Sequence, residues 1–262
     1  MAEQQIRFDD GAAYERMMGT WSRLAGDTFL DWLAPPAGLR WVDVGCGNGA
    51  FTELVVAKAA PAEIQGIDPS DGQLAYARGR RGTEMAKFLK GDAMALPFQA
   101  HEFDVATMAL VIFFVPEPAK GVAEMARVVR PGGTVAAYAW DMPGGGFPLQ
   151  PIVNELRAMG FAPPRPPSSE ASSIEALQKL WTGAGLVDVQ TRRIDVQRSF
   201  VDLDDFWTAS TLGATINPLL KSMAPDDVAR LKERVFVHVQ QDSAGRVTYR
   251  AWANAIKGRV AA

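Results

Sequence analysis

Apolar residues at the start of the chain fall into helical register. Tyr14, Met17, Met18 and Trp21 gather on one side of a helix, Phe29, Leu30, Trp32 and Leu33 follow, and Pro35-Pro36 ends the run. From Arg40 the pattern changes to short apolar runs alternating with helical stretches, the signature of a parallel sheet flanked by helices. Strands are predicted over Arg40–Val44, Glu63–Ile67, Lys87–Lys90, Phe103–Met108 and Thr134–Trp140, with helices over Phe51–Ala59, Gly72–Arg80 and Ala119–Val129. Pro131-Gly132-Gly133 reads as the turn that opens the fifth strand.

After Trp140 the pattern loosens. "DMPGGGFP" is a glycine-proline loop and "APPRPPSSEASS" a stiff polar connector. Ile174–Gly183 fits a short helix, "VDVQTRRIDV" alternates as a strand, and "RVTYRAWANAIKG" fits a final strand. About fifty residues separate these last two, far more than a hairpin needs. They carry two helical patterns, Leu203–Leu212 and Asp226–Val239. The expected layout is one domain: a helical arm over residues 1–39, a core over 40–140, and the rest of the sheet over 141–262 with an insertion near 199–245.

Composition narrows the function. Hydrophobic residues make up 48%, enough for a sizeable core. Lys plus Arg (27) nearly balance Asp plus Glu (30), so no basic field draws nucleic acid or an anionic membrane. The longest apolar run, Met108 to Val115, is too short to span a bilayer, and no signal peptide pattern opens the chain. One cysteine, Cys46, rules out an internal disulfide and suits a reducing cytoplasm; two histidines argue against a dedicated zinc site.

The candidate chemistry centres on "WVDVGCGNGAF", a strand that stops at a glycine loop and gives way to a helix, which is the frame of a nucleotide site. Three carboxylates surround it. Asp43 precedes the loop by two residues, where it would repel a pyrophosphate and attract an ammonium. Asp68 in "GIDPS" lies where a carboxylate grips ribose hydroxyls, and Asp92 in "KGDAMALPF" could accept from an adenine amino group. A ligand with ammonium, ribose and adenine but no phosphate is S-adenosylmethionine. The rivals are a nicotinamide oxidoreductase, disfavoured by Asp43 and the single glycine loop, and a catalytically silent binder of S-adenosylmethionine.

"VDVGCGNGAFT", "GIDPS", "GDAMALPF", "FDVATMAL" and "VVRPGGTV" together resemble the class I S-adenosylmethionine-dependent methyltransferases, in particular the small-molecule group that includes the ubiquinone and menaquinone enzymes. The resemblance covers roughly Trp41 to Trp140 and is topological beyond it. It implies a Rossmann-like α/β fold with a seven-stranded, mostly parallel sheet whose last strand runs antiparallel between the fifth and sixth. It also implies site residues. Gly45, Cys46, Gly47, Asn48 and Gly49 would form the loop against the methionine part, with Asp43 facing the ammonium and Thr52 at a hydroxyl position that some relatives use. Asp68 would take the ribose, and Pro69 and Ser70 would frame the adenine. Asp92, Ala93 and Met94 would read the adenine edge, while Met108 and Ala109 would line the cofactor after the fourth strand.

Methyl transfer from a sulfonium needs alignment and exclusion of water more than it needs a base. Asp141, Tyr138 and Tyr14 are the positional candidates should the acceptor have to lose a proton. Aromatic and apolar residues near the expected rim, Tyr14, Met18, Trp21, Phe113 and Trp140 with Phe206 and Trp207 of the insertion, suggest a pocket for a small apolar or aromatic acceptor. The insertion and the Tyr14–Trp21 arm would cap it. Cys46 reads as a small filler in a tight turn, and His238 as a packed or half-exposed structural residue.

Overall fold

A computed structural model describes residues 18–213 and 216–262. Its sheet has seven strands in the order β3-β2-β1-β4-β5-β7-β6. The strands are β1 (Arg40–Val44), β2 (Glu63–Asp68), β3 (Lys87–Lys90), β4 (Phe103–Ala109), β5 (Val129–Trp140), β6 (Leu186–Phe200) and β7 (Val247–Val260). The first five run parallel, and β7 lies antiparallel between β5 and β6. Helices α2 (Ala50–Ala59), α3 (Asp71–Arg78) and α4 (Pro118–Val128) make crossovers that cover the sheet, which is why β1 and β4 are buried along most of their length. The order reverses between β1 and β4, so their carboxyl ends open a crevice, the usual ligand position in such sheets.

Three local readings change. Pro131-Gly132-Gly133 lies within β5 and makes an irregularity there: Phe103 pairs with Val129, but Val105 already pairs with Thr134. The stretch after the glycine-proline loop contains a helix, α5 (Gln150–Ala158), with proline in its first turn. After α6 (Ile174–Gly183), the strands β6 and β7 pair as a long ribbon that overshoots β5, since Trp140 ends β5 opposite Ala253 while β7 begins at Val247.

The insertion carries α7 (Leu203–Thr211), α8 (Asn217–Ser222) and α9 (Pro225–Phe236). Asp202 starts α7 by accepting the Asp205 N–H at 2.8 Å. Phe206 packs edge-on against Phe200 of the ribbon, with ring centroids 5.2 Å apart, and α9 is tied to α5 by Glu155. That carboxylate accepts from Arg234 Nε at 2.6 Å and lies 2.8 Å from His238 Nε2, so His238 is half-exposed and structural, as its spacing suggested.

The arm helix α1 (Thr20–Leu33) lies over α2 and the ribbon. Gly26 permits the approach: a Cβ there would stand 2.8 Å from Leu54 Cδ1 and 3.1 Å from the Tyr138 hydroxyl. Trp21 is buried against Phe200 and Tyr249, while Lys257 Nζ donates to Trp32 O at 3.1 Å and sits 4.5 Å over its ring. No helix among the described residues is long and apolar enough to cross a membrane.

Candidate functional site

A cavity of about 630 Å³ opens at the carboxyl ends of β1, β2 and β4. Its floor is the glycine loop, which hangs from β2: the Gly45 and Cys46 N–H groups both donate to Ile67 O, at 2.7 and 3.0 Å. Gly45 and Gly47 have φ of +76° and +51°, a left-handed backbone that favours glycine. Their bare sides face different things. A Cβ on Gly45 would meet Val111 Cγ2 at 2.5 Å, whereas one on Gly47 would meet nothing within 4 Å. Gly47 therefore offers naked backbone to whatever fills the cavity.

Asp68 stands at the end of β2 and lines the cavity. Its two oxygens accept from Gly47 N at 3.0 Å and Ser70 N at 2.8 Å. Burial pushes its carboxyl upward, and these two N–H groups oppose the shift. Each oxygen keeps a lone pair for a hydroxyl donor. Across the cavity, Asp92 Oδ1 accepts the Met94 N–H at 2.8 Å, which presents Asp92, Ala93 and Met94 as one polar edge. Beyond Ala109, Leu110 has φ of +61° and donates its N–H to Tyr138 O at 2.8 Å, so strained backbone forms part of the wall. Cys46 and Asn48 also line the space; burial, then the Asp43 and Asp68 charges, hold the Cys46 thiol well above its usual range and disfavour the thiolate.

Several expected positions lie elsewhere. Asp43 does not sit on the rim: it is fully buried beneath the loop and does not line the cavity. Thr52 Oγ1 donates to Asp43 Oδ2 at 2.7 Å, and Asp43 Oδ1 has no partner among the described residues. Burial raises the Asp43 carboxyl to about 7, against the opposing Thr52 hydrogen bond, with a smaller upward push from Asp68. Thr52 thus serves Asp43, Gly49 starts α2, and Met108 points into the core; none of the three lines the cavity.

The acceptor-side expectations need more correction. Met18, Trp21, Phe113, Trp140 and Phe206 are core residues, each at most 4% exposed, and none lines the cavity. Trp207 is partly buried against the same core and is also absent from the wall, as are the other described residues of the insertion. Asp141 is structural: its oxygens accept from Gly144 N at 2.9 Å and from Trp252 Nε1 at 3.1 Å. Tyr14 lies outside the described residues. Of the three catalytic candidates, Tyr138 alone is found in the wall, with its ring packed at a tilt against Phe29 and Phe51, centroids 4.7 and 5.7 Å away.

Pattern reading missed Ser22, Arg23, Phe51, Gln73, Arg80 and Phe114, all of which line the cavity. Phe114 had a signal, since it neighbours Phe113 on the same 3-10 turn and only one of such a pair can face inward. The arginines had none, because a polar residue on a helix reads as solvated.

Comparison with known proteins agrees with this architecture. Residues 42–137 match the methyltransferase domain family. The ubiquinone/menaquinone biosynthesis C-methyltransferase of Dinoroseobacter shibae is 38% identical over 121 residues, 45% of this chain and 48% of that protein. A demethylmenaquinone methyltransferase of Staphylococcus aureus is 32% identical over 126 residues, 47% of this chain and 50% of its own. The chain thus spans about half the length of the curated relatives it matches. Among solved structures, the YcgJ protein of Bacillus subtilis has a TM-score of 0.61 at 19% identity, covering 91% of this chain and 98% of that one. Phosphoethanolamine N-methyltransferase 2 of Haemonchus contortus, in complex with S-adenosyl-L-methionine, has a TM-score of 0.61 at 17% identity, covering 96% and 57%. The core of the chain resembles a class I methyltransferase domain of the quinone-methylating kind, on a Rossmann-like sheet.

Proposed function

We propose that this chain is an S-adenosylmethionine-dependent methyltransferase acting on a small, apolar or aromatic acceptor. The observation that carries the reading is a single cavity walled by a bare glycine loop, the Asp68 carboxylate and the Asp92–Met94 edge. The residues fit that cofactor on two counts. The open side of Gly47 lets an amino-acid moiety lie against backbone, and the buried Asp43 carboxylate beneath the loop, its Oδ1 without a partner among the described residues, favours a positive charge above the loop. A pyrophosphate over the same group would be repelled once it is ionised.

Bound there, S-adenosylmethionine supplies a methyl group on a sulfonium, already activated for displacement. Asp68 would hold the ribose hydroxyls with its remaining lone pairs, and Asp92, Ala93 and Met94 would hold the adenine edge. Phe51, Leu54 and the Tyr138 ring give the acceptor an apolar seat, and α1 over them excludes water. Among the catalytic candidates, Tyr138 of the wall would be the residue to orient an acceptor or take its proton. Nearly balanced charge argues against nucleic acid, the shortness of the apolar runs argues against stable membrane insertion, and a lone buried thiol suits the cytoplasm.

Calorimetry with S-adenosylmethionine, S-adenosylhomocysteine and NAD tests the cofactor, with one-site binding of the first two and none of NAD expected. A labelled-methyl assay over phenols, quinols and amines then tests transfer. NAD binding without a response to S-adenosylhomocysteine would overturn the reading.

A further inference from the structure

The cavity has charge of both signs, and they are segregated. Acids stand on the sheet side, with Asp68 and Asp92 in the wall and Asp43 beneath it. The cations of the described wall, Arg23 and Arg80, stand on the helix side with Glu53 between them. The two arginines are not equivalent. Arg80 is nearly buried and its Nε holds Glu53 Oε2 at 2.6 Å, a full charge-assisted contact. Arg23 is about half exposed, and its Nη2 reaches Glu53 Oε1 only at 3.4 Å, well beyond the usual charge-assisted length. Glu53 is therefore neutralised chiefly by Arg80, and Arg23 carries the uncompensated positive charge of the wall.

Position supplies the second half of the argument. Arg23 shares a face of α1 with Gly19, which also lines the cavity and has no side chain to fill the space. Its contact Glu53 lies in the first turn of α2, whose N–H donates to Gly49 O, so Arg23 reaches the cavity beside the end of the glycine loop. The N-terminal turn of α2, where Ala50 and Phe51 line the wall, adds a weak preference for negative charge. The methionine part of the proposed cofactor carries a carboxylate on the carbon next to its ammonium. An ammonium drawn to the loop above Asp43 leaves the carboxylate pointing to the helix side.

We propose that Arg23 recognises this carboxylate and so sets the preference for S-adenosylmethionine over cationic analogues that lack it. The inference rests on the cofactor reading above. A guanidinium with most of its N–H donors uncommitted suits a planar carboxylate in two-point contact. The Arg23–Glu53 contact is long enough to be given up without disturbing Arg80.

The test uses S-adenosylmethionine and decarboxylated S-adenosylmethionine, which differ only in the carboxylate. Their Kd values are measured by calorimetry on the wild type, Arg23→Ala and Arg23→Lys, with thermal melting as the check on folding. The wild type should prefer the full cofactor by about tenfold or more. Arg23→Ala should erase that preference by weakening the full cofactor alone, and Arg23→Lys should restore part of it. Equal weakening of both ligands, or an unchanged ratio, overturns the inference. So does a fall in turnover with both Kd values unchanged, which would put Arg23 on the acceptor. If the wild type binds neither ligand, the cofactor reading itself fails and the role of Arg23 falls with it.

Discussion

Replacing Asp43 with asparagine should make the protein less sensitive to pH and more stable above neutrality. The side chain is fully buried, Thr52 serves one oxygen, and the other has no partner among the described residues. Its carboxyl is raised from 3.8 to about 7 in the fold, chiefly by loss of water. Between those values the folded chain keeps a proton that the unfolded chain has released, so stability falls as pH rises through this window and levels off above it. At about 1.36 kcal/mol per pH unit the full window amounts to roughly 4 kcal/mol, of which about 2–3 kcal/mol lies between pH 5 and pH 8. Asparagine keeps an acceptor for Thr52 but buries an unsatisfied amide at a pH-independent cost of about 1–3 kcal/mol. Urea unfolding of both proteins at pH 5, 6, 7 and 8 measures the difference. The stability of Asp43→Asn relative to wild type should climb with pH and flatten past 7; parallel curves at every pH would mean that Asp43 is ionised throughout, and would refute the reasoning.

Asp68→Ala should weaken S-adenosylhomocysteine binding by about tenfold or more by calorimetry, since two charge-assisted contacts of roughly 1.5–3 kcal/mol each would be lost. The two loop glycines should separate. Gly45→Ala should lower Tm sharply, combining left-handed backbone with an overlap on Val111 worth about 1–3 kcal/mol, while Gly47→Ala should melt only a few degrees lower yet lose cofactor affinity. Tyr138→Phe keeps the ring contacts with Phe29 and Phe51 and should leave S-adenosylhomocysteine affinity unchanged, while turnover falls with any acceptor that must lose a proton; equal turnover would confine Tyr138 to packing.

The core from Trp41 to Trp140 was legible because its signals are local. Strands buried on both faces read as apolar runs, and a loop with positive φ demands glycine whatever its ligand. The acceptor side was not legible, because an aromatic in the core and one at a rim look alike in sequence. Trp140 and Phe206 carry every mark of a pocket residue and are packed solid, while Phe114 faces the cavity. Asp43 was found as important and misplaced by one layer: two residues before the loop is still inside the strand, where side chains alternate and this one points under the glycines. The α5 helix escaped notice because Pro151 in its first turn extended an apparent loop, although Ile152, Val153 and Leu156 already had helical spacing.

The clasp between α1 and the ribbon has a consequence for the order of assembly. Lys257 holds Trp32 across 225 residues of chain, and Trp21 rests on Phe200 and Tyr249. At roughly 5–20 residues per second of synthesis, the helix waits about ten to forty-five seconds for the strand that fastens it. Throughout that interval the sheet can grow from β1 to β5 and the glycine loop can form, while the helix that bears Arg23 leans on α2 and, through Phe29, on Tyr138 of β5. Its Trp21 face stays uncovered until the ribbon forms. The last strand completes the sheet and, in the same event, fastens the helix that forms one wall of the cavity.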